Sequence, residues 1–229
     1  MRSRTWLGAC LPVAVLLLWE ATWHVPAWRR ESLSRPLEVA GALARGLADG
    51  SMWTATRQTF EAALTGFAIA AVLGVALGLL LGMLPRIERI VGPSIDGLRP
   101  VPSVALMPLA LMVFGFGVAM EASVVAFACI WPVLLLTIHA VRQVPAGLLE
   151  VARVLEMGLL RRVFKLMLPA AMPGIAVGLR LALGLSLIVA VTVEIVLNPR
   201  GLGYAIMSSQ QALQFDAMYA LLLWICLAG

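Results

Sequence analysis

Uncharged apolar runs of about the length of a membrane helix recur along the chain. Crossing the ~30 Å hydrocarbon core of a bilayer takes roughly 20 mostly apolar residues in a helix. The predicted spans cover approximately residues 5–25, 60–84, 100–120, 122–141 and 173–197, with a partial span at 217–229. Within the third span, Pro108 predicts a kink and Gly115-Phe116-Gly117 predicts a turn near the end. The pattern predicts an all-α, polytopic membrane helix bundle formed by a single domain over residues 1–229, with six transmembrane helices expected and the sixth truncated.

The first run follows two arginines, Arg2 and Arg4. A short apolar stretch after basic residues is also typical of a secretory signal peptide. Trp19, Glu20 and Trp23 stand where a signal peptide would carry the small residues of its cleavage site. Aromatic side chains instead anchor helix ends at the membrane interface, which favours an uncleaved first helix. The mixed segment at residues 26–57 then indicates an interfacial amphipathic helix or loop.

Small residues recur at every fourth position of the second predicted span. This small-residue stripe consists of Gly66, Ala70, Gly74, Gly78 and Gly82. Small side chains at helical spacing let two helix backbones approach closely in a membrane. The stripe therefore predicts tight helix packing, either within this chain or with a second copy of it.

Composition and charge support a membrane protein. Of the 229 residues, 62% are hydrophobic and 13% are charged, and the mean hydropathy is +0.97. Soluble domains average roughly 45–50% apolar and about 25% charged residues, so a soluble enzyme or nucleic-acid-binding domain is excluded as the main body of the chain. The net charge of +5 comes from basic residues beside the apolar runs, where such charges set membrane orientation.

The distribution of basic residues predicts a cytoplasmic N-terminus. With the N-terminus inside, eleven of the seventeen Lys and Arg residues lie on the cytoplasmic side and six on the outer side. An excess of basic residues in cytoplasmic loops is the rule for membrane proteins.

The most polar connection, residues 144–170, lies between the fourth and fifth spans. Pro145 and Gly147 predict the start of a short helix and Gly158 its end, while Pro169 and Pro173 predict the end of a second short helix before the fifth span. Such amphipathic helices either dock into a groove on a cytosolic partner or lie on anionic headgroups. From the residues alone both alternatives stay open.

A sequence motif in this connection separates the two alternatives. Glu150-Val151-Ala152-Arg153 is followed, nineteen residues after the glutamate, by the proline of Leu168-Pro169-Ala170-Ala171. This arrangement resembles the EAA loop of ABC-importer permeases. Other segments look like the nitrate, sulfonate, taurine and bicarbonate subfamily of these permeases, namely residues 98–102, Pro108, residues 114–117, residues 178–184, Glu194 and residues 201–204.

The resemblance implies a fold and a set of partners. The fold would be that of a type I ABC-importer permease in the bacterial cytoplasmic (inner) membrane. A second permease copy would complete a homodimer, a cytosolic ABC ATPase dimer would bind ATP and Mg, and an extracytoplasmic solute-binding protein would deliver a small anionic solute. This chain itself would bind no cofactor and no nucleic acid and would have no catalytic residue.

The same resemblance implies roles for residues of the loop. The ATPase-coupling residues would be Glu150, Val151, Ala152, Arg153, Glu156, Gly158, Leu168 and Pro169. Glu150 and Arg153 would make polar docking contacts, Ala152 would permit close approach, and Pro169 would turn the chain into the membrane. Members of the family usually have a glycine at the position of Glu156. Because this chain has its glycine at Gly158, the turn between the two short helices is expected to be displaced.

A few residues within the predicted spans are candidates for the translocation pathway or a gate. They are Arg180, Glu194, Pro100 and Pro102. Arg180 would either attract an anionic substrate or extend its charged end to the membrane interface. Glu194 would hydrogen-bond the Gly201–Gly203 turn or a neighbouring helix, with a direct substrate role as the alternative. Isolated histidines predict no metal site.

Three other functions fit a membrane chain less well. A secondary transporter usually has internal repeats, and none is evident in the sequence. A membrane enzyme would need paired carboxylates, histidines or a Ser-Lys dyad within the spans. A membrane scaffold without transport activity is the simplest alternative, and the polar loop alone does not exclude it.

Overall fold

The computed structural model describes residues 34–229, together with Ala14 and residues 18–20. The predicted first span at 5–25 and the beginning of the amphipathic segment therefore lie almost wholly outside the described residues. Within the described residues the regular structure is helical and no strand occurs, which confirms the prediction of an all-α protein. In the part of the chain that the structure describes, three helices are long and apolar enough to cross a membrane, or up to four spans if one bent pair counts as a span.

The helices follow one another with short connections. In chain order they are α1 (Pro36–Ala48), α2 (Ser51–Met83), α3 (Pro85–Leu98), a 3-10 turn (Ser103–Leu106), α4 (Met107–Phe114), α5 (Val118–Arg142), α6 (Ala146–Val154), α7 (Leu159–Arg162), a π-helical turn (Val163–Met167), α8 (Leu168–Val196), α9 (Gly201–Gln211) and α10 (Phe215–Ala228). Helices α2, α5 and α8 cover the predicted spans 60–84, 122–141 and 173–197, and α10 covers the predicted partial span. At 33 residues and 1.5 Å per residue, α2 is about 50 Å long.

The chain forms two compact units. Of the described residues, those before residue 58 together with residues 200–229 form the first unit, and residues 58–199 form the second. In the first unit α1, α9 and α10 enclose an apolar cluster around Val39, Leu202 and Leu221. An Arg45–Asp216 ion pair of 3.0 Å joins α1 to α10, and the Trp224 indole donates a hydrogen bond of 2.7 Å to Thr56 Oγ1.

The second unit is organised by direct backbone contact between α2 and α5. A Cβ atom added at Gly66, Gly74, Gly78 or Gly82 would lie within 2.8 Å of a Val or Thr side chain of α5. Ala70, in the middle of the same stripe, has no exposed surface. The small-residue stripe therefore packs within this chain, which resolves the choice between an internal contact and a contact with a second copy.

The predicted third span at 100–120 is not a continuous helix. Pro102 precedes a 3-10 turn and Pro108 lies in the first turn of α4, so the helix forms only over eight residues. It ends at Gly115, which has φ +69°, and Gly117 has φ +130° before α5 begins. These positive φ angles are accessible to glycine and break the helix. Instead, the segment formed by the 3-10 turn and α4 (residues 103–114) follows α3 after a short break, and its axis is bent by 85° from that of α3.

The expected break at Pro169 and Pro173 is also wrong, because one helix runs from Leu159 to Val196. Proline lacks an N–H group and its ring presses on the carbonyl four residues earlier, which for Pro169 is that of Lys165. Lys165 lies in the π-helical turn, in which Leu168 N–H donates to Val163 C=O. The wider turn accommodates Pro169 without ending the helix. Pro173 lies inside α8.

The contact between α2 and α5 can be tested with Gly78→Ala. The new Cβ atom would lie 2.5 Å from Thr137 Cβ and 3.0 Å from the Leu134 carbonyl oxygen, so one of the helices must move. We expect a loss of stability of about 1–3 kcal/mol, as for overpacking of a filled core. Thermal unfolding of the purified protein in detergent, followed by circular dichroism, measures the change.

The matched control is Gly184→Ala in α8, where the added methyl group meets no atom within 4 Å. Alanine is favoured over glycine in a helix by about 1 kcal/mol, so this variant should keep or raise the unfolding temperature. Equal losses in the two variants would contradict a specific contact at Gly78.

Candidate coupling site

The connection between α5 and α8 contains the short helix α6, and the apolar side of this helix is exposed. Val151, Val154 and Leu155 are exposed, Val154 by 82%. Glu150 and Arg153 are also exposed and lie next to these apolar side chains on the same short helix. An exposed apolar strip with charges at its edge is suited to docking in a groove of another protein. Of the predicted coupling residues, Glu150, Val151 and Arg153 thus share one open surface, which we call the coupling surface.

Ala152 lies away from the coupling surface. It is only 2% exposed, so its side chain is buried within this chain and is not presented to a partner. A small residue at this position lets α6 lie close to the rest of the second unit. Leu168 and Pro169 are also separate from the coupling surface, because they lie in the first turn of α8.

The turn after α6 is at the position where the family usually has glycine. Glu156 has φ +47°, in the left-handed region. Met157 N–H donates to Ala152 C=O and Glu156 N–H donates to Arg153 C=O, each at 3.0 Å. These two bonds define a Schellman motif, in which the left-handed residue is most often glycine.

The expected displacement of this turn to Gly158 is therefore wrong. Gly158 has φ −60° and ψ 154°, an extended conformation that any residue adopts, and it directly precedes α7. The hydrogen-bonded helix end fixes the place of the turn, and Glu156 accepts an unfavourable backbone conformation there. A left-handed conformation costs a residue with a Cβ atom roughly 1–2 kcal/mol.

Arg180 is one of two charged residues of α8 that the sequence suggests for the pathway. Its side chain is exposed, one turn from Gly184, which has open space beside it. Leu181 and Ile188 are exposed on neighbouring turns. The arginine therefore lies on a side of α8 that other helices of the second unit leave open.

Glu194 is not exposed to a pathway in this chain. It is 1% exposed, and Thr59 Oγ1 of α2 donates to its Oε2 at 2.9 Å. The predicted interaction with a neighbouring helix is thus present, and the helix is α2. A carboxylate placed in lipid would cost about 2.5–3.5 kcal/mol, so a buried hydrogen bond is the favoured arrangement.

A second buried carboxylate was not singled out by the sequence. Glu121, in the first turn of α5, is 2% exposed and accepts a hydrogen bond of 2.8 Å from Asn198 Nδ2. Asn198 follows the end of α8 and is 1% exposed. The sequence offered one signal for this residue, namely that Glu121 is a single acidic residue between two apolar runs. Together with Thr59 and Glu194, this bond ties α2, α5 and α8 to one another.

Pro100 and Pro102 lie in the connection between α3 and the 3-10 turn, and both are exposed. Within the described residues, no group of three or more His, Cys, Asp or Glu side chains could hold a metal ion. The described part of the chain therefore offers a docking surface, an exposed arginine and buried hydrogen bonds between helices.

The strained turn can be tested with Glu156→Gly. Glycine adopts φ +47° without a Cβ penalty, so we expect α6 to become more stable by about 1 kcal/mol. Hydrogen–deuterium exchange of the α6 amides should slow by about fivefold. Gly158→Ala is the matched control, because its φ of −60° and open surroundings accept a methyl group, and it should leave exchange unchanged. Faster exchange in Glu156→Gly than in the unchanged protein would contradict this account of the turn.

Comparison with solved structures supports the fold. The chain is similar to the inward-facing MetNI methionine ABC transporter, with a TM-score of 0.63 and 19% identity over 78% of this chain and 90% of that chain. The fold is that of a type I ABC-importer permease, as the resemblance implied.

Comparison with curated sequences gives closer relatives. The chain is 31% identical to the aliphatic sulfonates transport permease protein SsuC of Bacillus subtilis, over 97% of this chain and 80% of that protein. It is 32% identical to the bicarbonate transport system permease protein CmpB of Synechococcus elongatus, over 89% and 78% respectively. It is 30% identical to the nitrate import permease protein NrtB of Synechocystis, over 72% and 60%.

A family model shows where the chain belongs. Residues 70–229 match the model described as the binding-protein-dependent transport system inner membrane component. The matched region includes α5, the coupling surface and α8. The chain is therefore a member of this family of ABC-importer permeases, as the motif in residues 150–171 indicated.

Proposed function

We propose that this permease subunit of an ABC importer conducts a small anion of the nitrate, bicarbonate or sulfonate class into the cytoplasm. The outward-facing coupling surface on α6 carries the proposal. Its exposed Val151, Val154 and Leu155 leave apolar area that a cytosolic ATPase would bury. The substrate classes named for the similar permeases support the choice of an anion.

Coupling follows from the way in which α6 is attached. It lies between α5, which ends at Arg142, and the continuous helix that begins at Leu159. An ATPase subunit that moves α6 during its ATP cycle moves the ends of both long helices. Two permease copies, each held by one ATPase subunit, would then alternate between outward-facing and inward-facing arrangements.

The partners and the orientation follow the same proposal. The N-terminus and α6 lie in the cytoplasm, in agreement with the excess of basic residues on that side. A solute-binding protein delivers the anion on the outer side, and a second copy of this chain forms the other half of the pathway. ATP and Mg bind to the ATPase, so this chain is a non-catalytic subunit that carries no cofactor and binds no nucleic acid.

Arg180 is the proposed anion-attracting group of the pathway. Its guanidinium is exposed on the open side of α8, and Gly184 one turn away leaves room beside it. A guanidinium binds planar oxyanions through two parallel hydrogen bonds, which suits nitrate and bicarbonate. Pro100 and Pro102 would form part of a gate, since they hold the connection before α4 in a non-helical conformation.

The coupling surface is tested by Glu150→Lys. Reversal of this exposed charge should leave membrane insertion intact but lower ATP-dependent uptake at least tenfold, because the ATPase loses a polar docking contact. Uptake and ATP hydrolysis are measured together in proteoliposomes that contain the chain, its ATPase and its binding protein. Glu61→Lys is the matched control. Glu61 is also exposed, but it lies towards the end of α2 that is away from α6. Equal uptake by the two variants would contradict the proposal.

The anion pathway is tested by Arg180→Gln and Arg180→Lys. If Arg180 attracts the anion, the glutamine variant should raise the KM for nitrate, bicarbonate or ethanesulfonate at least fivefold, and the lysine variant should recover part of the loss. Uptake is measured in the same proteoliposomes, with Arg200→Gln as the control at another exposed arginine. If both Arg180 variants keep the original KM, the side chain only reaches the membrane interface and has no role in the pathway.

A further inference from the structure

A large apolar cavity lies beside α6, within the second unit. Its volume is about 650 Å³, within the size range of small-molecule sites. The walls are the final turns of α2, the end of α5, part of α6, and α7 with the π-helical turn. Leu79, Val141, Leu149 and Met167 supply much of the apolar lining. We call this space the basal cavity.

The basal cavity is continuous with the side of α2 that faces outward. Leu80 lines the cavity and is 47% exposed, and Leu73 and Leu77 continue along α2 as exposed apolar residues. Leu160 and Phe164, which also line the space, are largely exposed, so it is open along one side. An apolar chain that already lies along α2 in the bilayer can enter the cavity without crossing a polar barrier.

The polar end of the basal cavity is cationic. Two arginines line it, Arg142 and Arg162. Arg142 forms an ion pair of 2.5 Å with Glu88. The Nε of Arg162 is buried and has no hydrogen-bond partner among the described residues. Residues 159–167 carry Arg161, Arg162 and Lys165 and no acidic residue, and Arg162 forms no ion pair among the described residues.

These features together specify an amphiphile with an anionic head. We infer that the basal cavity binds one anionic phospholipid, with an acyl chain among the apolar side chains and the phosphate at Arg162. A guanidinium donor and a phosphate form charge-assisted, geometrically specific hydrogen bonds. In the proposed orientation this lipid belongs to the cytoplasmic leaflet, which is the leaflet rich in anionic lipids.

The position of the site links the lipid to coupling. Leu149 of α6 lines the cavity, and α6 carries the coupling surface. Phe164, in the π-helical turn, contributes to the opposite wall. A bound acyl chain therefore contacts both sides of the turn at Glu156 and favours one arrangement of α6 relative to α8. This inference does not depend on which solute the protein transports.

The test is binding of phosphatidylglycerol to the purified full chain in nanodiscs. Discs of phosphatidylcholine alone and discs with increasing phosphatidylglycerol are compared, and retained lipid is counted by native mass spectrometry. We expect saturation at one tightly held phosphatidylglycerol per chain. Arg162→Gln should weaken this binding more than tenfold, whereas a cation that merely attracts anionic headgroups contributes about fivefold.

Two matched controls separate a site from general attraction. Arg161→Gln removes the neighbouring exposed charge, which does not line the cavity, and should weaken binding at most fivefold. Ala76→Trp fills part of the cavity from α2 and should abolish retention of the lipid, whereas Ala68→Trp, at an exposed position two turns earlier, should not. Arg162→Lys should restore part of the affinity if the charge is the recognised feature.

Three results would overturn the inference. Equal losses in Arg161→Gln and Arg162→Gln would mean that anionic lipids are attracted diffusely to the basic segment. Unchanged retention in Ala76→Trp would mean that the acyl chain does not enter the basal cavity. Retention of phosphatidylcholine and phosphatidylglycerol to the same extent would mean that the cavity accepts an acyl chain without recognising the headgroup charge.

Discussion

The close contact between α2 and α5 is the constraint on which the second unit depends. Four glycines remove the side chains that would separate the helices, and valine and threonine side chains of α5 occupy the space. In lipid no hydrophobic effect drives helices together, so close van der Waals packing must supply the association. Because α2 fixes α5 along several turns, the end of α5 at Arg142 has a defined position, and α6 begins four residues later.

The two ends of this packed unit are held by different interactions. At one end, buried hydrogen bonds from Thr59 to Glu194 and from Asn198 to Glu121 connect α2, α5 and α8. Breaking either bond would remove a hydrogen-bond donor from a buried carboxylate in a low-dielectric region, so these helix ends resist separation. At the other end, α6 presents exposed apolar side chains and α7 is a single short turn of helix. A bundle fixed at one end and adaptable at the other can convert a displacement of α6 into a tilt of its long helices.

The sequence predicted the elements that follow from composition and spacing. Long apolar runs with few charges located α2, α5 and α8, the small-residue stripe predicted a close helix contact, and the motif at residues 150–171 indicated the family. For residues 100–120 it predicted one span with a kink at Pro108 and a turn at residues 115–117. It did not predict that the helix would be limited to the eight residues of α4, because hydropathy does not register a 3-10 turn or positive φ angles. Nor did it show that Pro169 lies in a continuous helix, since the accommodating π-helical turn has no signature in proline spacing alone. The partner of Glu121 is 77 residues away, so no local pattern could have revealed it.

The turn at Glu156 connects the coupling surface with the basal cavity. Position 156 is fixed in a left-handed conformation by the two hydrogen bonds that end α6, whether or not the residue there is glycine. A residue with a Cβ atom lowers the stability of this turn, and the helix before it buries few of its own apolar side chains. Regions with few buried contacts open at low free energy, and a ligand that binds only the ordered form stabilises it by mass action. An ATPase at the coupling surface and a lipid in the basal cavity would each stabilise the same ordered arrangement of α6, so binding of one should favour binding of the other.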